Sequence, residues 1–596
     1  MTYKAPTQDM LFNIRHIANI DAIAEMPAYA DAGFDTAQAV LEECAKFNEA
    51  VVAPLNWAGD QNPSHWENFA VKTTPGFKEA FQQYGQAGWQ GLQHPTAYGG
   101  QGLPKTIGAA CGEMLNAANL SFALCPLLTD GAIEALITAG SDELKDRYLA
   151  KLISGEWTGT MNLTEPQAGS DLALVRTKAV PQADGTYRIS GTKIYITYGE
   201  HDMAENIVHL VLARVEGAPA GVKGISLFVV PKVLVNNDGT LGARNDVQCV
   251  SIEHKMGIKA SPTAVLQFGD NGGATGYLVG EENRGLEYMF IMMNAARYAV
   301  GVQGIAIADR AYQKAVTYAR ERVQSRPVDG SMNQSAPIIH HPDVKRMLMT
   351  MRAYTEGCRA LATAAAAAFD AAHHHPDEAA RKANKAFYEF MVPLVKGFST
   401  EMSLEVTSLG VQVHGGMGFI EETGAAQYYR DAKILTIYEG TTAIQANDLV
   451  GRKTARDGAQ QALSLASQIA ETEAALRASG TDDAQVMADA LQQSREAFED
   501  AARFIASNAS TDPNAAFAGS VPYLMLTGMV MAGWQMARAL LVAQGPVDQD
   551  FGDAFMAAKR VTCRFYAEHI LRKVPGMRDS IVSGAGSVNG LALEAF

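Results

Sequence analysis

The spacing of apolar side chains divides this chain into stretches of two different periods. Up to about residue 160, apolar positions recur three and four apart, as in AQAVLEECAKFNEAVVAPL and DGAIEALITAGSDELKDRYLAKLISG. That spacing predicts helices with one buried face. The cluster PTAYGGQGLP (95–104) interrupts them as a turn, and the polar stretch 58–76 predicts a surface loop. Near Gly159 the period becomes two. TYRISGTKIYITYG predicts a hairpin across SGT, and NIVHLVLARV, GISLFVVPKV, VQCVSIEHKMG and TAVLQFGD predict strands. Strands in succession without helices between them predict an antiparallel barrel or sandwich.

Helical period returns at Asn283. Three long segments, NRGLEYMFIMMNAARYAVGVQ onward, HPDVKRMLMTMRAYTEGCRAL onward and EAARKANKAFYEFMVPLVKGF onward, join the helix after Glu439 to predict a bundle. Further helical sequence runs from residue 456 to the end. The expected fold is therefore multidomain α+β. Its parts are an N-terminal helical domain (1–159), a middle β domain (160–282), a helical bundle (283–455) and an additional C-terminal helical domain (456–596). The most apolar stretch, Val521–Ala537, is broken by Thr527, Gly528, Gly533 and Gln535. It falls short of the roughly 20 apolar residues of a membrane span, so a buried helix is expected and membrane contact is not. GAGSVNG (584–590) has too little chain after it for a dinucleotide-binding unit and predicts a flexible tail.

Composition narrows the functional classes. A chain of 596 residues exceeds one core and implies two to four domains. A hydrophobic content of 47% with 19% charged residues is that of a soluble globular protein. The net charge of −15 argues against a nucleic-acid partner. Cys44, Cys111, Cys125, Cys249, Cys358 and Cys563 are scattered without a CxxC pair. This fits buried thiols in a reducing, cytoplasmic setting rather than disulfides or zinc. The N-terminus carries no apolar segment of the signal-peptide kind. His373–His375 are consecutive, point to different sides of a helix and do not converge on one ion.

The stretch DAKILTIYEGTTAIQ (431–445) holds one carboxylate, Glu439, between an apolar run and Gly440. An apolar setting raises a carboxyl's pKa and makes it a better proton acceptor. A glutamate here also suits capping the helix that follows, with Thr441 and Thr442 as cap residues. The residues alone leave both readings open.

Several motifs in one order resemble the acyl-CoA dehydrogenase family: YGGQG, MNLTEPQAGSD, KIYIT, KMGIKASPT, RERVQSR, QVHGGMGF and RDAKILTIYEGTTAIQ. The resemblance covers roughly residues 80 to 455. The N-terminal YKAPTQDM and the extra C-terminal helices are similar to a long bacterial branch of the family, which includes enzymes acting on 3-methylthiopropanoyl-CoA. The resemblance implies FAD-dependent α,β-dehydrogenation of an acyl-CoA to a trans-2-enoyl-CoA. It implies Glu439 as catalytic base, with its own backbone N–H in an oxyanion-hole role. Relatives that carry the carboxylate on the bundle helix place it where this chain has Ala296.

The resemblance assigns the flavin ring to Met161, Leu163, Thr164, Tyr195 and Thr197. It gives the diphosphate and adenosine end to Arg322, Gln324, Ser325, Gln412, Gly416 and Thr441, partly across a homodimer boundary. The acyl-CoA falls to Ser170, Asn294, Arg297, Tyr438 and Gly440, and the electron acceptor to an electron-transferring flavoprotein. At Tyr195 the family usually has tryptophan, at Ser325 an aromatic, and at Asn294 an acidic residue. Two alternatives within the superfamily stay open. One is an acyl-CoA oxidase. The other is a non-dehydrogenase flavin-binding relative of the alkylation-response type, whose basic C-terminal domain contrasts with the 16 acidic and 10 basic residues found here after Arg456.

Overall fold

A computed structural model describes the whole chain except residues 1, 2, 547 and 549. The chain packs as two compact units. One is formed by 47–103 and 118–296, and the other by 3–46, 104–117 and 297–596. The chain passes from the first to the second within the 37-residue helix Gly285–Glu321.

The first unit is built on the β-rich sequence. Its strands are β1 (His65–Glu67), β2 (Ala70–Lys72), β3 (Trp157–Asn162), β4 (Lys178–Pro181), β5 (Tyr187–Thr197), β6 (Asn206–Val215), β7 (Ser226–Pro231), β8 (Val233–Val235), β9 (Leu241–Arg244), β10 (Val247–Ile252), β11 (Thr263–Phe268) and β12 (Ala274–Val279). The main sheet runs β10-β11-β5-β12-β7-β6-β3. β4 pairs with both β5 and β6, which closes a ring of five strands. β6 and β7 are apolar at every second position on both faces. Leu210, Leu212, Leu227 and Val229 join one core with Leu136, Trp157 and Met292, while Val211, Phe228 and Val230 join a second with Ile189, Leu266 and Phe268. Burial on both faces is why these strands read as continuous apolar runs.

Three expectations are corrected here. The run TYRISGTKIYIT is one strand, β5, not a hairpin. Gly191, at φ +152°, carries the strand through SGT, and the two halves take different partners, β12 and β4 before it and β11 after it. The sheet is not wholly antiparallel, because β3 and β4 both run parallel to β6. Each reaches β6 by a long crossover, a pairing that strand order in sequence does not reveal. The polar stretch 58–76 contains the β1–β2 hairpin, turned by Asn68 and Phe69 at positive φ and tied down by Trp66 Nε1 donating to Cys249 O at 2.8 Å.

The second unit is helical. Helices Pro342–His374 and Glu378–His414 lie side by side, joined through Asp377, which caps the second by accepting from Ala379 N. The apolar stretch expected to be a buried helix is one, Ser520–Gln544. Its glycines permit close approach: a Cβ on Gly528 would sit 2.3 Å from Phe398, and one on Gly533 2.7 Å from Leu571. A buried ion cluster ties distant segments together. Arg359 meets Asp9 (2.6 Å), Glu113 (2.6 Å) and Asp309 (3.1 Å), while Lys559 meets Asp9 and Glu356. Residues 585–588 of the expected flexible tail form a short helical turn, and Asn589 Nδ2 just after it donates to Asn514 O at 3.4 Å. All six cysteines are buried and none forms a disulfide, and among the described residues no cluster of metal-ligating side chains occurs.

Candidate active site

In the second unit, the chain leaves the helix Ala425–Lys433 through a single 3₁₀ turn and reaches Glu439 with φ +54°. A non-glycine residue held there is strained, and such strain persists where the surroundings over-determine it. Gly440 follows at φ +87°. Thr441 caps the helix Thr442–Asp448, its Oγ1 accepting from Ile444 N at 3.3 Å. Glu439 itself makes no capping bond. Among the described residues no acceptor takes its backbone N–H, and Gln445 Nε2 approaches its carbonyl at 3.4 Å.

The loop is anchored from three sides. Lys396 Nζ donates to Gly440 O at 2.7 Å. The Tyr438 hydroxyl donates to Gln303 Oε1, and Gln303 Nε2 donates to Asn116 Oδ1 at 3.0 Å. Thr442 Oγ1 donates to Glu401 Oε1 at 2.5 Å. Burial raises the Glu439 carboxyl above its usual range, opposed by the nearby charges of Lys396 and Arg297. A desolvated carboxylate facing two cations is suited to accept a proton from a weak carbon acid. Lys396, Gln303, Gln445 and Glu401 were not singled out in the sequence. Their only sequence signal is a polar residue inside an apolar helical run.

At another end of the second unit, Tyr318 stacks on His414 with ring centroids 4.4 Å apart and 26° between planes. This brings the RVQS segment near QVHGG. Arg322, Gln324 and Ser325 are all exposed in a loop where Gln324 N donates to Ala336 O and Ala336 N to Ser325 O, each at 3.0 Å. Gln412 and Gly416 are exposed too, with open space over Gly416. Met417, Phe419 and Ile420, which follow Gly416 in the chain, are exposed as well, Phe419 at 86%.

In the first unit, MNLTEP and KIYIT lie side by side. Ile194 N donates to Thr164 O at 3.0 Å, and the fully buried Lys193 donates to Leu163 O at 2.9 Å and to Glu165 Oε1 at 2.8 Å. Glu165 also accepts from Arg176 N, Thr177 N and Thr177 Oγ1. Although burial opposes it, Lys193 and these donors hold the Glu165 carboxyl down at about 2. On the outer side of this buried clasp, Tyr195 at φ +60° presents a ring that is 60% exposed. Met161 is buried, Leu163, Thr164 and Thr197 are half-buried, and Thr164 keeps its N–H and hydroxyl without an acceptor among the described residues. Ser170 is exposed in the loop that follows. Asn294, exposed, and Arg297, buried, are three residues apart on the helix Gly285–Glu321 and share one side of it.

Comparison with known proteins gives this arrangement a context. The family domains described as acyl-CoA dehydrogenase N-terminal, middle and C-terminal domains match residues 35–156, 160–271 and 283–453, and one described as acetyl-CoA dehydrogenase C-terminal like matches 465–592. A 3-methylmercaptopropionyl-CoA dehydrogenase of Ruegeria pomeroyi is 56% identical over 96% of each chain. The broad-specificity linear acyl-CoA dehydrogenase FadE5 of Mycobacterium tuberculosis is 37% identical over the full length of both. An acyl-CoA dehydrogenase of Bacillus anthracis, solved in complex with FAD, shares the fold at TM-score 0.73 and 24% identity, over 92% of this chain and 88% of that one. The chain belongs to the acyl-CoA dehydrogenase family of FAD-dependent oxidoreductases.

Proposed function

We propose that this enzyme dehydrogenates an acyl-CoA between its α and β carbons, with Glu439 as the base. The observation that carries the reading is Glu439 itself: a desolvated carboxylate in left-handed backbone, free of any capping duty, with an unclaimed N–H on the same residue. The carboxylate takes the α-proton. The backbone N–H at 439 donates to the thioester oxygen, which stabilises the enolate-like charge as the proton leaves. Arg297 and Asn294 lie on a helix side suited to the CoA portion, and Tyr438 and Gly440 border the base.

The residues fit FAD. The open Tyr195 ring offers a stacking surface, and the unclaimed donors of Thr164 suit the polar edge of an isoalloxazine. When bound, FAD supplies the redox chemistry, taking the β-hydrogen as hydride. Met161, Leu163 and Thr197 complete that surface. Arg322, Gln324, Ser325, Gln412 and Gly416 would hold the diphosphate and adenosine of a second copy's cofactor in a homodimer. Their exposure beside Phe419 supports that reading. Thr441 stands beside the base at the start of a short helix. Electrons then pass to an electron-transferring flavoprotein.

The acyl group we favour is 3-methylthiopropanoyl, on the 56% identity over nearly the whole chain. The test is a panel of acyl-CoAs scored anaerobically for bleaching of the bound flavin. The reading predicts the fastest bleaching with 3-methylthiopropanoyl-CoA, no oxygen uptake when acyl-CoA is added in air, and sustained turnover only when an electron acceptor is supplied. Faster bleaching by a long straight-chain acyl-CoA would overturn the substrate assignment.

A further inference from the structure

Lys396 lies where a lysine is costly. Every residue from Phe390 to Thr400 on the helix Glu378–His414 is buried, and Lys396 itself is 0% exposed. The backbone around it is tightly packed. A Cβ on Gly301 would meet Val395 O at 2.3 Å, and one on Gly397 would meet Leu524 at 2.6 Å. An ammonium in such a place must be paid for by specific partners. Among the described residues its ammonium donates to Gly440 O, the carbonyl directly after Glu439, at 2.7 Å. The charges facing it are Glu439, Glu401 one turn further along its own helix, and Arg297 from the helix Gly285–Glu321. Glu401 is engaged by the Thr442 hydroxyl at 2.5 Å. The Glu439 carboxylate makes no hydrogen bond among the described residues, so Lys396 acts on it through charge alone. The charges facing Glu439 are, in turn, Lys396 and Arg297.

We propose that Lys396 is a positioning residue for the base: its ammonium fixes the loop through the Gly440 carbonyl and supplies the positive charge that keeps Glu439 ionised and ready to accept a proton. This rests on Glu439 being the base. The two cations do different work. Arg297 cannot lose its proton at any working pH, whereas burial pulls Lys396 down to about 8 against the attraction of Glu439 and Glu401. Lys396 therefore remains cationic through the neutral range and counters the burial that would otherwise keep Glu439 protonated.

The experiment compares Lys396→Met, Lys396→Gln and Lys396→Arg with the parent holoenzyme. The readout is the pH dependence of flavin reduction by acyl-CoA in anaerobic single turnover. Met removes both charge and tether, Gln keeps a donor without the charge, and Arg keeps both. For Met and Gln the acid limb should move to higher pH, with the rate at pH 6 at least about tenfold below the parent and the gap closing as pH rises. Arg should restore the parent's acid limb. If Met does not fold, Gln against Arg decides the same question. FAD content and the acyl-CoA dissociation constant should match the parent in all three. An acid limb that stays at the parent's position in Met or Gln overturns the proposal, as does a loss confined to binding. Glu439→Gln run alongside separates the two claims: if it reduces flavin at the parent rate, the base assignment falls first.

Discussion

Lys193→Met is the substitution whose consequence the first unit fixes most tightly. Methionine matches the lysine stem in length and packs in the same apolar space, so the change is confined to the cation. Lys193 is fully buried and makes two bonds, to Leu163 O and Glu165 Oε1. Removing one partner of a buried ion pair costs about 3–5 kcal/mol, because the other charge is left without compensation. Glu165 retains donors from Arg176 N, Thr177 N and Thr177 Oγ1, which places the loss near the lower end, about 3 kcal/mol. The lost bond to Leu163 O adds about 1 kcal/mol. At about 2–4 °C per kcal/mol for a unit of this size, thermal unfolding should shift down by roughly 8–16 °C. The double variant Lys193→Met with Glu165→Gln removes the stranded charge and should recover more than half of that loss. Calorimetry of the four proteins in the cycle, each with added FAD, makes the test. A single variant that melts with the parent would refute the reasoning. So would a double variant whose loss is the sum of the two singles, because Lys193 and Glu165 would then not be coupled.

Two further outcomes follow from buried charges. Arg359→Met takes the guanidinium from Glu113, Asp309 and Asp9, of which Asp9 keeps Lys559 and Asp309 keeps Gln313, so denaturant unfolding should show a loss of about 3 kcal/mol, whereas Arg503→Met, on an exposed surface pair, should change little. His94 is 3% exposed; burial pushes its imidazolium down, but Asp130 at 2.9 Å and Glu134 at 3.4 Å outweigh that and raise it to about 9. A folded pKa above the unfolded value contributes stability that is complete below about pH 6.5 and lost as pH rises through about 9. The melting temperature should fall across that window in the parent and fall less in His94→Gln.

Much of this architecture was legible before the fold was in view, and the reasons are local. The switch near Gly159 and its reversal at Asn283 follow from which neighbouring side chains are buried in strand or in helix, so they survive as sequence patterns. Thr441 as a cap and Val521–Ala537 as a buried helix are likewise written in neighbouring residues. What escaped depends on distant partners. β5 passes through SGT because strands far along the chain pair with each half of it, and Gly191 supplies the bend. β3 is parallel to β6 although some forty residues and two strands intervene. At the candidate site, Glu439 stood out by its apolar setting and Gly440, but its left-handed backbone did not. Lys396 was invisible because a lysine between Val395 and Gly397 reads as a surface position unless the packing of Leu524 and Gly440 against that helix is known.

The account turns on Glu439, and one substitution tests it most directly. Glu439→Gln is nearly isosteric, leaves the backbone N–H in place and cannot accept a proton. FAD and acyl-CoA binding should persist, and so should the Tyr438 and Gly440 contacts that shape the loop. Removal of a general base costs about 10²- to 10⁴-fold. Flavin reduction by acyl-CoA, followed anaerobically in a single turnover above the parent's acid limb, should slow by at least about a hundredfold. A Glu439→Gln enzyme that bleaches its flavin as fast as the parent would contradict the assignment of Glu439 as the base.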